Sequence, residues 1–153
     1  MSQVFQPAVS VTGRVFLSVI FVMSAIGNKI PHFNDVAQVM GNVGVPAPAL
    51  LLAGAIAFLL VGGASVILGF KARFGAALLI VFLVLATYYF HGFWRLEGAD
   101  AQAQTIQFMK NLSLIGAMLF IVANGSGAGS LDTWLARRGA GVQRVPVTSA
   151  VRA

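Results

Sequence analysis

The chain has 153 residues, of which 58% are hydrophobic and only 9% charged, with a mean hydropathy of +0.88. A soluble domain of this size needs far more charge on its surface, so the composition excludes a water-exposed globule and indicates an integral membrane protein of one domain. The net charge of +6 and pI near 10.9 do not indicate a nucleic-acid partner, because the basic residues lie at the ends of apolar segments and in the tail, where they orient helices and meet anionic lipid.

The first apolar block runs roughly from Val11 to Ile26. The small pair Ala25 and Gly27 after it also fits a cleaved secretory signal, but there is no Lys or Arg before Arg14, and a retained signal anchor is the better reading. On a 3.6-residue period Arg14, Ser18, Phe21, Ala25 and Asn28 share one face, with Lys29 beside its outer end. Polar groups are costly in hydrocarbon, so this stripe is expected to face the bundle. Pro31 follows, then Asn34 as the expected N-cap of a short interfacial helix with Val36, Val39 and Met40 on one face, ended by Gly44-Val45-Pro46.

The second and third blocks, roughly Ala47 to Phe70 and Phe74 to Phe90, are separated only by Lys71-Ala72-Arg73. They must therefore form an antiparallel hairpin. Small residues mark the expected packing seams: Ala53, Ala57, Gly62, Ser65 and Gly69 in the second block, Gly75-Ala76-Ala77 in the third, and Ser113, Gly116 and Ala117 in the fourth. The third block ends with Thr87, Tyr88, His91 and Arg95 at spacings of three or four. A polar connection from 91 to 107 is expected to cover the bundle mouth, and the fourth block follows from Phe108 to Ala123, with Lys110, Ser113, Ala117 and Asn124 on a shared face.

After the fourth block the glycine-rich run 125–129 reads as helix termination, and Ser130 as the cap of a short amphipathic helix carrying Leu131, Trp134 and Leu135 into the interface. Asp132 is favourably placed against the dipole of that helix. The expected organisation is a transmembrane domain over 1–136 and a basic, disordered cytoplasmic tail over 137–153.

Sidedness follows from counting Lys and Arg. Four spans put both termini and the 71–73 turn on one side with Arg14, Lys71, Arg73, Arg137, Arg138, Arg144 and Arg152, against Lys29, Arg95 and Lys110 on the other. The positive-inside bias makes the first side cytoplasmic, and the location expected is the cytoplasmic (inner) membrane. The fold class expected is therefore all-α, a polytopic four-transmembrane-helix bundle.

Three helices thus carry polar groups toward the outer mouth. One reading is structural: Lys29 and Lys110 snorkel, and Tyr88 and Trp94 form an aromatic belt. The other is an outward pocket in which Lys29, Tyr88, His91 and Lys110 hydrogen-bond a small polar or quinone-like ligand, since all can donate to a carbonyl and histidine can exchange a proton near neutral pH. The candidate ligand-binding set is Arg14, Asn28, Lys29, Tyr88, His91 and Lys110. No catalytic residue is assigned, and two histidines without metal-ligand spacing argue against a metal. Phosphate-loop, dinucleotide-binding and nucleophile-elbow motifs are missing, and the chain has no cysteine for thiol chemistry or cluster ligation. Any redox role must rest on a bound cofactor, a quinone or a partner.

The order Arg14, Phe21, Ser24 and Gly27-Asn28-Lys29 resembles the opening signature of the DoxX family of small four-helix membrane proteins. Gly44-Val45-Pro46, Gly62-Gly63 with Leu68-Gly69 and Arg73, Lys110-Asn111-Leu112 with Gly116, and Gly125 to Ser130-Leu131-Asp132 extend the resemblance over roughly 13–135. It implies a likeness to the membrane subunit of a thiosulfate:quinone oxidoreductase, with links in some members to oxidative-stress defence or catechol and quinone resistance. A membrane quinone is the one cofactor it suggests, and a soluble or membrane oxidoreductase the partner beside the lipid bilayer. The chain departs from a common family pattern, since many members carry a glutamate just before the Gly-Gly pair where Phe58, Leu59, Leu60 and Val61 stand here. Two functions are therefore expected in competition: a quinone-linked redox subunit, or a non-enzymatic scaffold or small-molecule carrier.

Overall fold

The computed structural model describes residues 2–142, and its elements are helical throughout: α1 (Ser2–Ser24) continuing into a π-helical turn (Ala25–Lys29), α2 (Phe33–Asn42), α3 (Pro48–Leu68), α4 (Ala72–Phe90), a 3-10 turn (Phe93–Arg95), α5 (Gly98–Asn124) and α6 (Leu131–Val142). Four segments are long and apolar enough to span a bilayer: Phe5–Lys29, Pro48–Leu68, Ala72–Phe90 and Gly98–Asn124. Phe16 and Leu50 are 73% exposed and Phe120 70%, a surface that suits hydrocarbon and not water.

The spanning helices pack in the order α1, α3, α4, α5, with α3 and α4 central. Their shared core is Phe21, Leu59, Val66, Leu79, Leu83 and Met118, with Ala25, Ala72 and Ala76 where helices come close. In hydrocarbon, burial of apolar area gives no drive, so close backbone approach has to hold the helices together. The α3–α4 seam shows how: a Cβ on Gly62 would lie 2.9 Å from Gly75 O and 2.8 Å from Leu79 Cγ. Gly63 makes room in the same way for Val22 of α1.

The hairpin between α3 and α4 is a Schellman ending. Gly69 takes the left-handed conformation (φ 63°), Phe70 N donates to Ser65 O at 3.1 Å, and Gly69 N donates to Val66 O at 3.2 Å. The end of the bundle holding this hairpin also holds the start of α1 and the α5–α6 loop, because Arg14 reaches Gly129. This is the terminal end. The other, distal end carries the π turn, α2, the end of α4 and the start of α5.

Boundaries differ from the sequence expectation at several points: α1 begins at Ser2, ahead of Val11, and α3 and α4 meet across 69–71, so Ala72 and Arg73 already belong to α4. α5 begins at Gly98, so the stretch 98–107 is helix and the distal connection shrinks to 91–97. Alternating Ala and Gln are good helix formers, and Asp100 in the first turn favours the helix dipole. α2 starts one residue before Asn34, with His32 at the cap position and no side-chain cap bond. α6 runs through Arg137 and Arg138 to Val142, past the boundary expected at 136, while the remainder of the expected tail, 143–153, lies outside the described residues.

The π turn has a consequence for register. The inward stripe predicted for α1 is buried as far as Arg14, Ser18, Phe21 and Ala25. A π turn takes more residues per revolution than an α turn, so the next inward position moves from 28 to 29. Asn28 is accordingly exposed, and Lys29 is partly buried.

Candidate functional site

A cavity of about 740 Å³ opens in the distal half, bounded by α1, α2, α3 and α4 and closed on one side by α5. Leu51, Leu52, Ala55 and Phe58 of α3 and Val81, Phe82 and Leu85 of α4 form an apolar body. Polar groups enter at Ser24 and Lys29 from the end of α1, Tyr89 and His91 from the end of α4, and Asn111 from α5. Val36 and Met40 of α2 form part of the wall, whereas Val39 is exposed. Size and lining match the ordinary small-molecule site, mostly apolar with a few placed polar groups.

Each polar group has a defined setting. Lys29 Nζ donates to Ser24 Oγ at 2.7 Å and lies 5.6 Å from the centroid of the Phe82 ring. His91 Nδ1 and Gln104 Oε1 are 2.7 Å apart, a hydrogen bond in which the ring nitrogen donates to the amide oxygen. Asn111 Nδ2 donates to Thr87 Oγ1 at 2.9 Å, tying α5 to α4 beside the cavity.

Of the residues singled out from sequence, Lys29 and His91 line this cavity together. Tyr88 is 65% exposed and stacks edge-on against Tyr89, with centroids 5.1 Å apart, so Tyr89 is the tyrosine at the cavity wall. Lys110 is exposed and donates to Gln107 Oε1 at 3.0 Å, outside the cavity lining. Asn28 points away from the bundle. Arg14 is buried at the terminal end, donating from Nη2 to Gly129 O at 3.0 Å and from Nε to Ser10 O at 3.3 Å. Tyr89, Ser24 and Asn111 were not among the candidates. Asn111, next to Lys110 in the Lys110-Asn111-Leu112 run, was the one with a visible signal, a side-chain amide in an apolar span.

The terminal end is built differently. Asp132 of α6 accepts from Lys71 N at 3.1 Å and from Ser126 Oγ at 3.2 Å, while Asp132 N donates to Gly69 O at 3.0 Å. The first turn of α6 is closed by Ser130 and Thr133, Ser130 Oγ accepting from Thr133 N and Thr133 Oγ1 accepting from Ser130 N, each at 3.2 Å. Arg73 Nη2 donates to Ala123 O at 3.3 Å, at the carbonyl end of α5. Together with the Arg14–Gly129 bond, they fasten α6 and the loop before it to α1 and the α3–α4 hairpin, and α4 to the end of α5.

A polytopic four-helix membrane protein with an apolar cavity near one face is thus the class that fold and site define. The DoxX family model matches residues 9–92, from α1 to just past α4. The chain is 30% identical over 128 residues to the inner membrane protein YphA of Escherichia coli K12, covering 83% of this chain and 90% of YphA. It is 30% identical over 125 residues to the inner membrane protein YqjF of the same organism, covering 82% of this chain and 90% of YqjF. A shorter likeness, 35% over 71 residues, links 45% of this chain to 24% of a Surfeit locus protein 4 homologue of Schizosaccharomyces pombe. No solved structure matches. The chain belongs to the DoxX family and is a multi-pass inner-membrane protein.

Proposed function

We propose that this protein is a redox-associated membrane subunit whose distal cavity binds a quinone-like amphiphile, with an oxidoreductase partner exchanging electrons with that ligand. The observation that carries the reading is the cavity itself, an apolar body along α3 and α4 with Lys29, His91 and Asn111 among its lining residues. A quinone has the matching shape, a flat head with carbonyl acceptors and an apolar tail. Bound there, it would supply reversible two-electron, two-proton carriage. Lys29 would donate to one carbonyl, and His91 is the group able to accept or return a proton at the head. With the termini in the cytoplasm, as the positive-inside bias indicates, the cavity lies toward the outer face.

One observation favours a second reading, that of a carrier or scaffold without chemistry of its own. The stretch before the Gly-Gly pair is apolar, and Phe58 stands in the cavity wall, so α3 supplies no proton-transfer carboxylate there.

The test is to purify the protein in mild detergent, extract its bound lipids and quantify quinone, repeating with Lys29→Ala and His91→Ala. Stoichiometric quinone in the parent that is lost in both variants supports the redox subunit. Quinone-free protein that brings down a soluble partner sinks the quinone site and leaves the scaffold.

A further inference from the structure

Two lysines stand near the distal mouth, and they behave oppositely. α5 runs from the distal end inward, so Lys110, reaching back to Gln107, points out toward the aqueous face. That is snorkelling. α1 runs the other way. Side chains lean toward the N-terminus of their helix, so Lys29 reaches back to Ser24, deeper into the membrane. Its ammonium is held inside the cavity while solvent lies in the opposite direction.

The charge held there has no internal counterion. The cavity is lined by no aspartate or glutamate, and among the described residues no carboxylate lies within ion-pair distance of Lys29. Asp35 faces His32 at 3.9 Å and is largely exposed, Glu97 and Asp100 are exposed at the start of α5, and Asp132 is engaged at the terminal end. Ser24 occupies one of three ammonium donors and the Phe82 ring offers a weak second contact. A cation in an apolar wall calls for an anion, because the low local dielectric strengthens attraction and penalises an unpaired charge.

We infer that the distal cavity selects an amphiphile with an ionised acidic head, a carboxylate or acidic phenol oxygen seated on Lys29 with its apolar tail along α3 and α4. The inference rests on the preceding reading only in taking the cavity as a ligand site, and it is independent of any redox role.

The experiment uses the full-length protein in nanodiscs of neutral lipid and equilibrium binding of labelled palmitate and its methyl ester, with uptake by empty nanodiscs subtracted. The ester keeps the tail and removes the charge. The expected result is palmitate bound about tenfold more tightly than the ester, the size of one hydrogen bond to a charged group. Lys29→Gln erases that preference by weakening palmitate alone, Lys29→Arg keeps it, and Ala55→Phe, which fills the apolar body, weakens both probes. Equal affinity of the two probes for the parent protein, or a preference that survives Lys29→Gln, overturns the inference. A neutral decyl-quinone measured in parallel separates the two proposals. Saturable quinone binding without acid preference removes this inference and keeps the quinone site, acid preference without saturable quinone binding does the reverse, and no saturable binding of any probe removes both.

Discussion

At the terminal end Arg14, Arg73 and Asp132 bond to backbone groups of other elements, whereas at the distal end Lys29, His91, Lys110 and Asn111 bond only to side chains. A backbone partner cannot leave without moving its helix, but a side-chain partner can rotate away and be replaced by a ligand. The terminal end is therefore a clasp that sets the positions of the helices. The distal end, held apart by a cavity, is where exchange is affordable. Polar and charged side chains serve both ends, so function is separated from structure by what each group bonds to and not by its polarity.

The comparison is broken most forcefully at Gly69. Its left-handed φ disfavours any side chain, and an added Cβ would run into the guanidinium of Arg14 and the Ser130 side chain. Gly69→Ala should lower unfolding stability in mixed micelles by roughly 3 kcal/mol, from backbone strain plus displacement of Arg14. If the clasp acts as a unit, Gly69→Ala combined with Arg14→Ala should cost clearly less than the sum of the two single changes. Additive losses would mean that Arg14 and the hairpin are held independently.

Asp132→Ala comes next. It removes acceptors from Lys71 N and Ser126 Oγ at the surface of the bundle, where water can partly replace them. The expected loss is about 1 to 2 kcal/mol, read by the same unfolding curve. Quinone or palmitate retained by the folded variant should be unchanged, because the cavity lies at the other end. A variant that unfolds normally yet empties the cavity would show the two ends to be coupled.

The four spans, the α3–α4 hairpin and the inward stripe from Arg14 to Ala25 were legible because each follows from one strong signal: apolar length, a three-residue connection, or polar residues repeating at helical spacing. The cavity residues were legible only in part. Lys29 was noticed, but the α period assigned the inward place to Asn28, and nothing in Ala25-Ile26-Gly27-Asn28-Lys29 announces a π turn. The rotation of α4 was hidden for a different reason. The helix is apolar on nearly every side, since lipid and core ask for the same residues, so no stripe distinguishes Tyr88 from Tyr89. The Arg14–Gly129 and Asp132–Lys71 contacts join positions far apart in the chain, which periodicity does not address.

That neighbouring pair supplies the smallest and most discriminating effect. Tyr88 is exposed on the lipid side and touches Tyr89 only through an edge-on ring contact, so Tyr88→Ala should change stability by no more than about 0.5 kcal/mol. Its effect on decyl-quinone affinity should be within error. Tyr89→Ala removes a ring from the cavity wall itself, close to His91, and should weaken the same probe severalfold while leaving unfolding stability near that of Tyr88→Ala. The reverse order, with Tyr88 controlling affinity, would require α4 to be rotated from the placement described. It would also turn His91, one turn on, away from the cavity that it lines with Lys29, and the distinction between a clasped end and an exchangeable end would lose its chemical half.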